Sequence, residues 1–168
     1  LATPLREHSL ELVDGYTAHG HDFIELTYII EGTAFHHVGG RTEEVAARQL
    51  LLIPPDTVHA FQAKGGRRHH QASIAIYPEF FRAHGTPLAM QVLTRLMDAG
   101  IRTLALPDET AVEVERTIET LLRESIFRVG LWERIVALTL EHLFIMLERS
   151  RDERPAVLAR FHHTPAVV

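Results

Sequence analysis

The hydrophobic period of this chain changes once, after Tyr77, and that change limits the folds open to it more than any other feature. Before it lie seven short runs, at 9–17, 23–32, 33–38, 42–47, 49–54, 58–63 and 71–77. They are rich in Ile, Val, Leu, Phe and Tyr and are separated by Gly, Pro or Asp. Such runs read as strands bounded by turns. Gly39-Gly40 reads as a two-residue hairpin loop, because glycine tolerates the positive φ that loop requires. Many short strands at this spacing imply a sandwich or barrel.

Beyond Thr86 the spacing becomes helical. Thr86 is placed to cap a helix with Pro87 at its first position, and Leu88, Val92 and Leu96 recur on one face before Gly100. A second segment, "PDETAVEVERTIETLLRESIFRVG", opens on acids that suit the positive helix end and closes on Gly130. In the third, "LWERIVALTLEHLFIMLERSRDER", Trp132, Val136, Thr139, Leu140, Leu143, Phe144 and Leu147 form one apolar face. Ile135, Leu138 and Ile145 widen that face beyond what one contact requires. The expected fold class is therefore mainly β with C-terminal helices (α+β). The expected division is a β-barrel over 1–82, a helical subdomain over 83–150 and a linker over 151–168.

Composition narrows the chemistry. At 168 residues, 46% hydrophobic and 23% charged, the chain has the make-up of one globular unit. No apolar run reaches bilayer length, and the N-terminus shows neither a basic n-region nor an apolar h-region, so a soluble, cytoplasmic protein with no membrane partner is expected. A net charge of −5 argues against a phosphate-binding surface, and the short basic patch of Lys64, Arg67 and Arg68 reads as a solvated loop. Without cysteine, any metal must be held by His, Asp or Glu, and there are twelve histidines.

The stretch "HGHDFIELTYIIEG", 19–32, gathers such groups. Strand alternation places His19, His21, Phe23, Glu25, Thr27 and Ile29 on one face and Ile24, Leu26, Tyr28 and Ile30 on the other. A Pro-Pro-Asp turn brings His59 to the head of another strand. Three imidazoles and one carboxylate suit a divalent transition metal with open positions; the same residues could instead hydrogen-bond an organic ligand or ordered water. In the adjacent pairs His36-His37 and His69-His70, one member faces in and the other out. His37, Thr27 and Phe61 are taken as the pocket residues.

His19, His21, Glu25 and Gly32 fit His-x-His, three residues, Glu, six residues, Gly, and this resembles the first cupin motif. Pro54 and His59 fit the second, with Asp56 where glycine is usual, Arg48 where it usually opens with glycine and Ala63 where it usually closes with asparagine. Over roughly residues 5–150 the chain is similar to the sensor domain of AraC-type transcription regulators, particularly the chitobiose operon regulator branch. The resemblance implies a cupin double-stranded β-helix followed by about three helices. It also implies a metal held by His19, His21, Glu25 and His59, with zinc or nickel favoured by the affinity order for nitrogen sites. A small polar effector, plausibly a sugar, is the implied ligand. Dimerisation through the helices, with Leu138, His142 and Ile145 as contacts, is implied as well, and DNA would be reached only through a C-terminal region beyond Val168. The chain thus reads as an excised or truncated sensor. The alternative is a metal-dependent cupin enzyme, an isomerase or dioxygenase, since an open metal site also serves catalysis.

Overall fold

One strand organises the sheet. The structure, a computed structural model, describes residues 6–8, 17–65, 69–98 and 103–152. Its elements run β1 (Arg6–His8), β2 (Ile24–Val38), β3 (Arg41–Ala46), β4 (Gln49–Ile53), β5 (His59–Ala63), β6 (His69–Ile76), α1 (Pro78–His84), α2 (Pro87–Asp98), β7 (Thr103–Ala105), α3 (Asp108–Phe127) and α4 (Trp132–Asp152). The first half of β2 pairs with β6 and β4, and the second half with β3 and β5, all antiparallel. β1 extends the sheet beyond β6, and β7 extends it beyond β4. The result is a strand-rich, curled half-barrel followed by helices.

The two runs read separately at 23–32 and 33–38 are this one strand. It changes partners where its register slips between Ile29 and Glu31 and where Gly32 takes φ 84°. An extra residue in one strand of a pair bends it and sharpens its twist. The Gly39-Gly40 loop is as read, with φ of 54° and 75°, leading straight into β3.

Four helices are described where about three were expected. α1 has seven residues, too few to display a helical period, and lies in "YPEFFRAH". β7 has only three residues and is recognisable by its pairing with β4, a contact no local pattern announces. α3 ends at Phe127, earlier than Gly130, because Arg128 adopts the left-handed conformation (φ 48°) and its N–H bonds the Glu124 carbonyl. The Thr86 cap is weak but present, with its hydroxyl 3.4 Å from the Ala89 N–H. Residues 9–16 of the expected strand over 9–17, Gly100, Arg67, Arg68 and residues 153–168 of the expected linker over 151–168 lie outside the described residues.

β2 separates two apolar clusters. Ile24, Leu26 and Tyr28 pack under the helices with Leu93, Leu96, Val114, Ile118, Val136, Leu140 and Phe144. Ile29, Ala34, Val45, Leu51, Ile53 and Phe61 fill the concave side. Polar contacts tie sheet to helices. The buried Tyr28 hydroxyl donates to Glu115 of α3 at 2.7 Å, and burial together with that carboxylate pushes its pKa well up. Arg48 pairs with Asp108 in the first turn of α3, and the Leu106 N–H bonds the Arg48 carbonyl.

Tyr28→Phe removes a bond to a charged acceptor and is expected to cost about 1–2 kcal/mol in urea unfolding. Phe144→Ala, which opens a cavity at a fully buried position, is expected to cost about 3–5 kcal/mol.

Candidate metal and ligand site

The site begins with a backbone bridge. His19 and His59 form an isolated antiparallel pair in which each N–H bonds the other's carbonyl, at 3.0 and 2.9 Å. The Pro55-Asp56 turn is fixed against the same segment, since the Asp56 N–H bonds the His21 carbonyl at 2.8 Å. Asp56 (φ 57°) and Arg48 (φ 66°) both adopt the left-handed conformation, at the two positions where the second motif usually has glycine. The turns thus keep a glycine geometry without glycine, which aspartate tolerates better than arginine does.

His19, Glu25 and His59 bring their donor atoms within 4.8 Å of one another. His59 Nε2 lies 3.2 Å from His19 Nε2 and 3.6 Å from Glu25 Oε2. Donor atoms bound at about 2 Å to one ion stand about 3–4 Å apart, so these spacings fit a shared cation. His19 Nδ1 donates to the Thr17 carbonyl, a contact that fixes the tautomer and turns Nε2 inward.

His21 lies beside the trio, not within it. Its Nδ1 donates to the Phe23 carbonyl at 2.7 Å and its ring stacks on Phe23. Its buried Nε2 has no hydrogen-bond partner, yet stands 3.1 Å from Glu25 Oε2. Two lone-pair carriers at that distance repel unless a cation, whether proton or metal ion, lies between them. The donor set therefore fits a divalent metal by its chemistry as well as its spacing. Burial pulls the His59 pKa down to about 4, with Glu25 opposing, so His59 is a neutral imidazole at pH 7, the form that binds metal.

Of the expected pocket residues, Thr27 and Phe61 lie inside the curl. Thr27 donates to Glu25 Oε1 at 2.8 Å and contacts Ser73 Oγ at 3.0 Å. His37 is placed elsewhere: it points outward, its ring bonded to Thr42 and Gln62, and its inward neighbour is His36. Counting by twos from Glu25 reaches 37. The slip at Ile30 inverts that parity, so that 25, 27 and 29 face in before it and 34, 36 and 38 after it.

Sequence reasoning also missed the polar row on β6. His69, Gln71 and Ser73 are buried at alternate positions, and Ser73 and Gln71 are cross-strand partners of Thr27 and Ile29. Polar residues at every second place in an apolar strand were the available signal. Of the expected dimer contacts, Leu138 and His142 lie exposed on α4, while Ile145 packs partly against the core.

The curled sheet, its helices and this inward-facing polar set define a ligand-binding fold. The AraC-like ligand binding domain family matches residues 13–126, more than half of the chain, and the protein belongs to that family. Apo ToxT from Vibrio cholerae is similar in structure, with a TM-score of 0.60 at 10% identity, over 88% of this chain and 56% of that one. A cupin protein from Bacteroides fragilis aligns over 39% of this chain and 57% of its own at 24% identity and TM-score 0.37. A cupin 2 conserved barrel domain protein from Rhodopseudomonas palustris aligns over 37% and 43% at 27% identity and TM-score 0.35. The chain spans a little over half the length of the first solved structures it matches. No curated protein matches it in sequence.

Burial lowers the pKa of His36, His59 and His69. A histidine whose folded pKa falls below its unfolded value binds fewer protons when folded, so its contribution is present above the unfolded pKa near 6.5 and is lost as pH falls toward the folded value. The metal-free domain is therefore expected to lose stability from about pH 6.5 down toward 4. Urea unfolding at successive pH values measures this, and a flat profile across that window would contradict neutral burial.

Proposed function

We propose that this domain is the effector-sensing part of an AraC-type transcription regulator, taking a small polar metabolite inside the curled sheet. The observation that carries the reading is the polar lining where an ordinary core would be apolar: Glu25, Thr27, His36, His59, His69, Gln71 and Ser73 are all buried. Membership in the AraC-like ligand binding domain family supports it. The chitobiose regulator branch, a cytoplasmic location, and DNA contact through a separate C-terminal region belong to the same proposal. Among the described residues, no helix is long and apolar enough to cross a membrane.

A divalent metal, zinc or nickel, fits His19, Glu25 and His59, with His21 as a fourth ligand. When bound, it would supply a positive charge at the mouth that orients the effector or braces the segment 17–25. Glu43 links this interior to the helices. Its Oε1 accepts from His36 Nδ1 at 2.9 Å and from the Thr103 hydroxyl at 3.0 Å, and Thr103 begins the strand that leads into α3. An effector that favours one arrangement of His36 would thereby bias β7 and α3, which is what a sensor requires. The helices are proposed to pair two copies through Leu138, His142 and Ile145.

Three measurements test this reading. Screening small metabolites for a rise in melting temperature should yield an effector whose binding is lost in His36→Ala; turnover of that compound by metal-loaded protein would favour the enzyme alternative. Elemental analysis should show bound zinc or nickel, with His59→Ala or His21→Ala weakening it by more than the ~10–100-fold that losing a supporting hydrogen bond costs. Sedimentation at micromolar concentration should show a dimer that Leu138→Glu dissociates, and a monomer at every concentration would remove the pairing from the proposal.

A further inference from the structure

A second set of polar groups inside the curl takes no part in the His19, Glu25 and His59 trio. His36 and His69, 1% and 2% exposed, flank Phe61 with ring centroids 4.5 and 6.1 Å from it. Each has one ring nitrogen engaged by the wall of the sheet. His36 Nδ1 donates to the Glu43 carboxylate at 2.9 Å, and His69 Nε2 donates to Gln71 Oε1 at 2.8 Å. Carboxylate and amide oxygens only accept, so the protons sit on those two nitrogens. Burial keeps both rings neutral at pH 7. The other nitrogens, His36 Nε2 and His69 Nδ1, are then bare acceptors, buried and without a partner.

Among the described residues the buried charge near them has one sign. Glu25 is the buried carboxylate, and no lysine or arginine is among the buried polar residues described. In the metal-free domain an anion entering here would meet lone pairs and a carboxylate with no buried countercharge among the described residues, whereas a hydroxyl, amide or ammonium group would satisfy acceptors that are otherwise costly to bury. Phe61, held between the two rings, fixes the direction of both.

We propose that this inner subsite takes the hydrogen-bond-donating end of an uncharged or cationic small molecule, through His36 Nε2 and His69 Nδ1, and in the metal-free domain rejects carboxylates and phosphates. The inference rests on the sensing reading above and names the ligand class for it.

The test uses metal-free protein with nitrogen-15 in its imidazoles and two probes of one shape, acetamide and acetate. Acetamide is expected to shift the His36 Nε2 and His69 Nδ1 resonances saturably, and acetate at equal concentration to leave them in place. His36→Phe, which keeps an aromatic ring against Phe61, is expected to weaken the acetamide response of His69 about tenfold, the loss of one such bond. The wild-type spectrum alone reports the tautomers, so the test survives a variant that fails to fold. Equal response to acetate, no response to either probe, or a proton found on His36 Nε2 would each overturn the proposal. A metabolite screen that yields an anionic effector would leave the sensing reading standing and remove only this inference; one that yields nothing of any charge would count against the sensing reading itself.

Discussion

The site and the fold meet in the irregularity of β2. A regular strand of fifteen residues would keep one parity from end to end. It would then turn His37 into the curl and leave His36, Ala34 and Val38 outside. The register slip at Ile30, followed by Gly32 at positive φ, lets the strand pair with β6 and β4 in one half and with β3 and β5 in the other. That bend converts a sheet into a curl. It also sets Glu25 and His36, eleven positions apart and of opposite parity, facing the same interior.

Much of the layout could be read from the chain. The change of period after Tyr77, the hairpin glycines, and the buried face of α4 at Val136, Leu140, Leu143, Phe144 and Leu147 all follow from local patterns that the structure repeats. The nearness of His19, Glu25 and His59 was legible through motif spacing, because a backbone bridge holds His19 to His59 in a way the two motifs jointly encode. What was not legible depends on non-local pairing. β7 exists through its ladder with β4. The choice between His36 and His37 turns on one extra residue whose effect on parity the apolar pattern of "LTYIIEG" conceals.

The departures from the second motif show how a turn geometry can outlast the residue that usually secures it. Arg48 remains left-handed while its N–H bonds the Ile29 carbonyl, its carbonyl accepts from Leu106, and its guanidinium pairs with Asp108. A glycine there would relieve the backbone and lose the ion pair with Asp108. The arginine thus exchanges local strain for contact between sheet and helix, in addition to the bonds of Tyr28 with Glu115 and of Glu43 with Thr103.

These three contacts, two to α3 and one to β7, give the curl directional links that apolar packing alone would not. Leu26, Val114 and Ile118 pack through a surface that tolerates small slides, since dispersion contacts are many, individually weak and without direction. A hydrogen bond to a shared carboxylate is directional, and Glu43 Oε1 accepts from the interior and from β7 at once. Any rotation of the His36 ring that lengthens one bond alters the charge density available to the other. The interior and β7 therefore share one acceptor atom, Glu43 Oε1, and the proposed sensing would run through it.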